Sequence, residues 1–173
     1  PGVTGYANWR LLLPALANGG FRAVAPDIVG FGYTERPPGF EYSLENWLDF
    51  LRRFLDALGI EQAHFIGNSF GGALSLALAT REPARAGYQE SFAQLFPAPR
   101  QRHIARLSTP EDALRALPHQ TLIVHGREDA IVPLESSLRL HQLIRHSELH
   151  VFGECGHWTQ VEKHQAFAEL VLS

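Results

Sequence analysis

"HFIGNSFGGALSLALA", residues 64–79, begins as a short apolar strand pattern and ends as a helix pattern, with Ser69 at the change-over. Gly67, Gly71 and Gly72 crowd around that serine, closer together than a soluble helix normally tolerates. The spacing predicts a tight strand–turn–helix with Ser69 at its tip, held in strained dihedrals. Neighbours two residues away would collide there unless they lacked a Cβ. The hydroxyl then sits at a helix N-terminus, where free N–H groups and the positive dipole end favour a developing oxyanion. The Phe70 amide is the natural first donor. The same G-x-S-x-G pentapeptide also serves as a packing turn, and short motifs recur by chance. Other loops must decide.

Outward from this stretch, uniformly apolar segments alternate with amphipathic ones. "FRAVAPD" (residues 21–27), "QAHFIG" (62–67), "TLIVHG" (121–126) and "ELHVFG" (148–153) read as buried strands. Leu44, Trp47, Leu48, Leu51, Phe54, Leu55 and Leu58 recur at helical spacing, with Ser43 as N-cap and Gly59 as C-terminal stop. Leu11–Ala17, Leu134–Ile144 and His164–Leu172 are further helices, with Pro14 admissible only in a first turn. Short apolar strands alternating with helices specify the α/β class, a mostly parallel sheet covered on both faces. In that class ligands gather beyond the carboxyl ends of the strands. The segments after Gly67, Gly126 and Phe152 are therefore where function should lie.

The second of these, "HGREDAIVP", puts Asp129 just past a strand, and the third, "GECGHWTQ", puts His157 just past another. Serine, acid, histidine is the chain order of an α/β-hydrolase triad. In that arrangement His157 takes the proton of Ser69, while Asp129 fixes the imidazole tautomer and stabilises its charged form. Glu128 is the rival acid; the shorter arm of Asp129 suits a fixed place on the turn better. Cys155 shares the tight loop of His157 and can hardly present its sulfur to that imidazole, so it reads as a small buried side chain. The remaining histidines lack metal-ligand spacing with a second donor, and no metal site is expected.

Composition narrows the field. The chain has 173 residues, 45% hydrophobic and 19% charged, with a net charge of −3. That suits one globular domain. Lys and Arg are scattered and outnumbered by Asp and Glu, which argues against nucleic acid as partner. No apolar run approaches the roughly 18 residues of a membrane span. A single cysteine excludes an internal disulfide and fits a reducing, cytoplasmic compartment. A homodimer is left open.

These residues resemble the α/β-hydrolase superfamily and, within it, the meta-cleavage product hydrolases of bacterial aromatic degradation. "PGVTGYANWR", "APDIVGFGYTERP", "HFIGNSFGGALSLALA", "ESFAQLFPAPRQR", "LIVHGREDAIVP" and "VFGECGHWTQVE" carry the resemblance over most of the chain. Asp27-x-x-Gly30-x-Gly32 and the serine turn are common to much of the superfamily; "GNSFGG", "CGHW" and "ANW" are more particular. The resemblance implies C–C cleavage in a vinylogous 1,5-diketone acid of the 2-hydroxy-6-oxohepta-2,4-dienoate type, with no cofactor, because the substrate carries its own electron sink. It further implies that Asn68 and Trp158 hold the carboxylate and enol end of the substrate and that Asn8 contacts the same region. A carboxylesterase on the same triad is the alternative among enzymes, and a non-catalytic fragment or small-molecule-binding module the alternative outside them. Dehalogenase and epoxide hydrolase relatives resemble this fold but carry Asp where Ser69 stands.

The chain departs from the family pattern in two places. A His-Gly-x-Gly oxyanion segment and the first strands would lie upstream of Pro1. Near Arg85–Ala86, "LALATREPAR" runs directly into "AGYQESFAQLF", where the family has a core strand and most of a helical lid. The expectation is a single core domain, 1–173, lacking those parts, with 86–107 a remnant of the lid and a missing segment near 85–86. In the family's strand order one absent strand would lie between 21–27 and 62–67 and the other between 62–67 and 121–126. The remaining strands would then leave rows of buried backbone groups unpaired. Each unpaired buried backbone group there would cost about 1–3 kcal/mol.

Overall fold

Six consecutive buried residues, Thr121–Gly126, form the first strand of a computed structural model that describes residues 4–84 and 108–173. In chain order the elements are α1 (Gly5–Trp9), α2 (Leu13–Asn18), α3 (Leu44–Ala57), α4 (Phe70–Arg81), α5 (Glu111–Arg115), β1 (Thr121–Gly126), α6 (Leu134–Leu143), β2 (Ser147–Phe152), α7 (Thr159–Glu162) and α8 (His164–Leu172). Strand β2 pairs in parallel with β1, from Thr121 opposite Ser147 to Gly126 opposite Phe152. A parallel pair needs a crossover, and α6 supplies it.

Alternation along β1 builds a layer on each face. Ile123 points into a cluster with Leu76 and Ala79 of α4, Leu114 and Leu117 near α5, and Leu140, Leu143 and Ile144 around α6. Its neighbours Leu122 and Val124 point the other way, onto Leu12 and Phe167 beside α2 and α8. A third cluster seats α3 on α4 through Trp47, Leu48 and Leu55 against Leu74, Ala77 and Leu78. Helix α4 is buried from Gly72 to Ala79, as an all-round apolar helix must be. Truncating Leu76, 2% exposed in this core, to alanine would cost about 2–5 kcal/mol.

The helix expectations hold to within a few residues. Ser43 accepts from the Asn46 N–H and opens α3, and Gly59 follows it with φ +64°. Pro14 lies in the first turn of α2. Two strand expectations do not hold. Residues 21–27 have no strand assignment, and 62–67 show only isolated bridges at Ala63 and Ile66. Both segments line one cavity of about 1050 Å³, Ala23, Val24 and Ala25 from the first and His64, Phe65 and Ile66 from the second. An extended apolar segment becomes a strand only where a continuous ladder partner exists; among the described residues 21–27 shows no bridge and 62–67 only single ones. The boundary at Arg85–Ala86 and residues 86–107 lie outside the described residues.

Candidate active site

Local backbone sets the stage for Ser69. Its φ of +58° and ψ of −120° are outside the regions an L-residue normally occupies, a strain of about 1–3 kcal/mol that surrounding packing must hold. A Cβ on Gly67 would land on the Gly71 carbonyl and 2.5 Å from the Gly72 nitrogen. The turn can close only because Gly67 has none. Gly71 differs from the expectation: a Cβ there meets nothing within 4 Å. The Phe70 ring locks the turn from below, edge-on to Trp47 at 4.7 Å and tilted on Phe31 at 5.8 Å. The Phe70 backbone N–H opens α4, and the next one, of Gly71, donates to the Asn68 carbonyl at 2.9 Å.

Three side chains separated by up to 88 positions then meet in a row. His157 Nε2 lies 2.9 Å from Ser69 Oγ, and His157 Nδ1 lies 2.9 Å from Asp129 Oδ2. An ionised carboxylate can only accept, so Nδ1 carries the proton, Nε2 is the acceptor and the Ser69 hydroxyl donates to it. All three are buried, Asp129 completely so. Burial pushes the Asp129 carboxyl up, but hydrogen bonds from the Val132 N–H, from His157 and from the Ile131 N–H outweigh it. The net result holds the carboxyl below its ordinary value. Its other oxygen, Oδ1, accepts from Ile131 N at 2.7 Å and Val132 N at 2.9 Å, so the turn itself aims Oδ2 at the imidazole.

Glu128, the rival acid, is turned elsewhere. It pairs with Arg127 and accepts the Cys155 N–H at 3.0 Å. Cys155 is 2% exposed, and burial pushes its thiol up to about 11, so it stays protonated at neutral pH. Gly126 allows β1 to end against the histidine loop, for a Cβ there would strike the Gly156 and Cys155 carbonyls.

Asn8, Asn68 and Trp158 line the same cavity as Ser69 and His157. Trp158 stands edge-on to the His157 ring at 5.3 Å. Asn68 donates from Nδ2 to the His157 carbonyl at 3.1 Å, tying the serine turn to the histidine loop. Asn8 donates to the Thr4 carbonyl at 2.9 Å. Asp27 has a scaffolding part: its carboxylate accepts from Gly5 N at 2.6 Å and Tyr33 N at 2.9 Å, fastening α1 to the loop after residue 27.

Two supports escaped sequence reading. His125, fully buried, accepts from Ser137 Oγ at Nδ1 (2.8 Å) and donates from Nε2 to the Val132 carbonyl (3.2 Å), bracing the Asp129 turn. Burial lowers its pKa and keeps it neutral. Glu162 accepts from both Gly156 N and Trp158 N. A carboxylate four residues after Trp158, able to reach back over a short helix start, was the only signal for the latter. Among the described residues no cluster of His, Cys, Asp and Glu could hold a metal, and no helix is long and apolar enough to cross a membrane.

A sequence profile of the alpha/beta hydrolase fold matches residues 1–87 and 85–164. The chain belongs to the alpha/beta hydrolase family. This hydrolase is 42% identical to the 2-hydroxymuconate semialdehyde hydrolase of Pseudomonas sp. strain CF600. That alignment spans 232 positions, 99% of this chain and 82% of the relative. It is 40% identical to the 2-hydroxy-6-oxo-2,4-heptadienoate hydrolase of Pseudomonas putida F1, over 99% of this chain and 84% of the relative. A solved serine-to-alanine mutant of the meta-cleavage product hydrolase from Pseudomonas fluorescens IP01, complexed with acetates, superposes with a TM-score of 0.92. It is 38% identical over 99% of this chain and 85% of that one.

Proposed function

We propose that this hydrolase cleaves the C–C bond of a 2-hydroxy-6-oxo-2,4-dienoate, a meta-cleavage product of aromatic degradation, using Ser69, His157 and Asp129. The observation that carries the reading is the unbroken hydrogen-bond row from Ser69 Oγ through His157 to Asp129 at the wall of a large cavity. A non-catalytic module has no need to bring these groups to 2.9 Å of one another. The identities near 40% to hydrolases of that substrate class supply the chemistry.

In this mechanism the dienol first ketonises, and its new carbonyl becomes the electron sink. His157 Nε2 removes a proton from Ser69 or from water, and the resulting oxygen nucleophile adds to the remote ketone. The oxyanion forms beside the Phe70 N–H at the start of α4. Collapse breaks the C–C bond, its electron pair passes into the conjugated carbonyl, and the imidazolium returns the proton. Overall one water is consumed, either as the nucleophile itself or by hydrolysing the acyl ester left on Ser69 and restoring its hydroxyl: its hydroxyl ends in a carboxylic acid and its hydrogen in the released dienol acid. Asn8, Asn68 and Trp158 hold the substrate carboxylate and enol in this reading, which their place in the lining of the same cavity as Ser69 and His157 supports. A reducing, cytoplasmic setting fits the lone buried thiol.

A missing internal segment near Arg85–Ala86 belongs to the same proposal. The family profile matches in two blocks that part at 85–87, and the alignment to the muconate-semialdehyde relative needs 232 positions for a chain of 173.

The deciding assay adds a yellow meta-cleavage dienoate to the protein and follows its visible absorbance together with acid release. Bleaching with stoichiometric carboxylic acid is the expected result. Inertness towards the dienoate with rapid turnover of aryl esters would replace the reading with a carboxylesterase.

A further inference from the structure

The imidazole of His157 must stay within hydrogen-bond reach of two partners at once, yet it sits on an irregular loop. Glu154, three residues before it, has φ +51°, a left-handed conformation that a non-glycine residue does not hold unaided. The Cys155 and Trp158 carbonyls accept from the backbone N–H groups of Glu128, Val161 and Glu162, and side chains hold other peptide groups around His157. Cys155 N–H goes to Glu128 Oε2 at 3.0 Å and the His157 carbonyl to Asn68 Nδ2 at 3.1 Å. The N–H groups immediately before and after the histidine both go to one carboxylate. Gly156 N–H donates to Glu162 Oε2 at 2.7 Å, and Trp158 N–H to Glu162 Oε1 at 3.0 Å.

We propose that Glu162 is a positioning residue for His157: it brackets the histidine from both sides and fixes where its backbone stands. The proposal rests on the reading that Ser69, His157 and Asp129 perform the hydrolysis. Geometry dictates a carboxylate. Its two oxygens accept independently, whereas a glutamine could accept at one and would set an N–H against an N–H at the other. An aspartate is one methylene short. Glu162 is exposed, so water can replace its hydrogen bonds without unfolding the chain; water cannot reproduce the fixed spacing. The competing explanation is a cap that merely stabilises α7. A cap would move the melting temperature and leave the histidine's hydrogen bonds and reactivity alone.

The test combines three readouts on wild type, Glu162→Gln and Glu162→Ala. The first is the limiting rate at which a fluorophosphonate labels Ser69, which needs an activated serine but not the natural substrate. The second is the low-field proton resonance of His157 Nδ1–H. The third is the melting temperature, which confirms that each variant is folded at the assay temperature. A displacement of the imidazole by a fraction of an ångström to 1 Å costs up to about a hundred-fold, so Glu162→Ala should label roughly ten- to a hundred-fold more slowly. Its low-field resonance should be weakened or lost, and Glu162→Gln should fall between. Labelling of Glu162→Ala within about two-fold of wild type, with the resonance intact, overturns the proposal. If Glu162→Ala does not fold, the same two measurements on Glu162→Gln decide the matter by the same thresholds. If wild type itself resists the probe, the hydrolase reading fails, and the resonance alone still decides whether Glu162 holds His157.

Discussion

Replacing Asp129 with asparagine should leave the architecture standing and remove most of the activity. Asp129 Oδ1 is already claimed by two backbone donors, Ile131 N–H at 2.7 Å and Val132 N–H at 2.9 Å. Only an acceptor can sit there, so the asparagine carbonyl oxygen is pinned in that place and its NH₂ must take the Oδ2 position. That position is 2.9 Å from His157 Nδ1. An NH₂ group donates, so Nδ1 must become the acceptor and the imidazole proton moves to Nε2, pointing at Ser69. The base is then blocked by its own proton, and the stabilising charge behind the imidazolium is gone. The same substitution of the orienting acid in serine proteases lowers kcat by about 10⁴, and a similar fall is expected here. That corresponds to roughly 5.5 kcal/mol of barrier. The assay is the limiting rate of dienoate bleaching, paired with ¹⁵N chemical shifts of His157 to read the tautomer. A variant that keeps the wild-type Nδ1–H tautomer, or loses less than about ten-fold while folded, would refute this account of Asp129.

Other substitutions probe neighbouring steps. Ser69→Ala should lower kcat by about 10³ or more, measured by bleaching; retained turnover would remove the hydroxyl from the mechanism. Trp158→Ala should weaken dienoate binding, read as KM, far more than it impairs hydrolysis of a small aryl ester. Equal losses on both substrates would mean the ring serves the fold. Ser137→Ala strands the buried Nδ1 of His125, at a cost of about 1–3 kcal/mol, or a drop in the urea midpoint of roughly 0.5–1.5 M at unchanged slope. An unchanged midpoint would show that the bond contributes nothing. Burial lowers the pKa of His125 in the fold, so the unfolded chain binds its proton first on acidification. Its contribution to stability is therefore complete above the ordinary value of 6.5 and lost as pH falls towards the folded value. Ser137→Ala should reshape that part of a urea-midpoint profile and leave the alkaline side parallel to wild type.

What could be read from the sequence followed the range over which each signal acts. Helix periodicity, the Ser43 cap and the apolar run of β1 are local, and the structure keeps them. The order serine, acid, histidine was legible because each lies just past an expected strand, and the geometry joins all three. Residues 21–27 look as strand-like as 121–126 but form no ladder, since a strand depends on a partner elsewhere in the chain. Glu162 and His125 were illegible for a related reason. Their importance comes from contacts across turns whose paths no residue pattern specifies, and an exposed glutamate or one histidine among nine carries no mark of its role.

The two glycines of G-x-S-x-G do different work, although the motif presents them as a symmetric pair. A methyl at Gly67 would collide with backbone, the Gly71 carbonyl and Gly72 nitrogen, which cannot rotate aside as a side chain could. The turn would have to open, and opening it moves Ser69 away from His157 Nε2. Gly67→Ala should therefore cost about 1–3 kcal/mol, in the manner of an overpacked core, and lower kcat as well. Gly71 has no positive φ and no atom within 4 Å of a built Cβ. In the first turn of α4, alanine there should hold or raise stability by up to about 1 kcal/mol through helix propensity. Its methyl would project into the cavity that Gly71 helps to line, so the effect should fall on KM for the dienoate rather than on folding. Melting temperatures and steady-state kinetics of the two variants separate these roles. If Gly67→Ala and Gly71→Ala lose stability equally, the close approach of Gly67 to the helix start is not what shapes the serine turn.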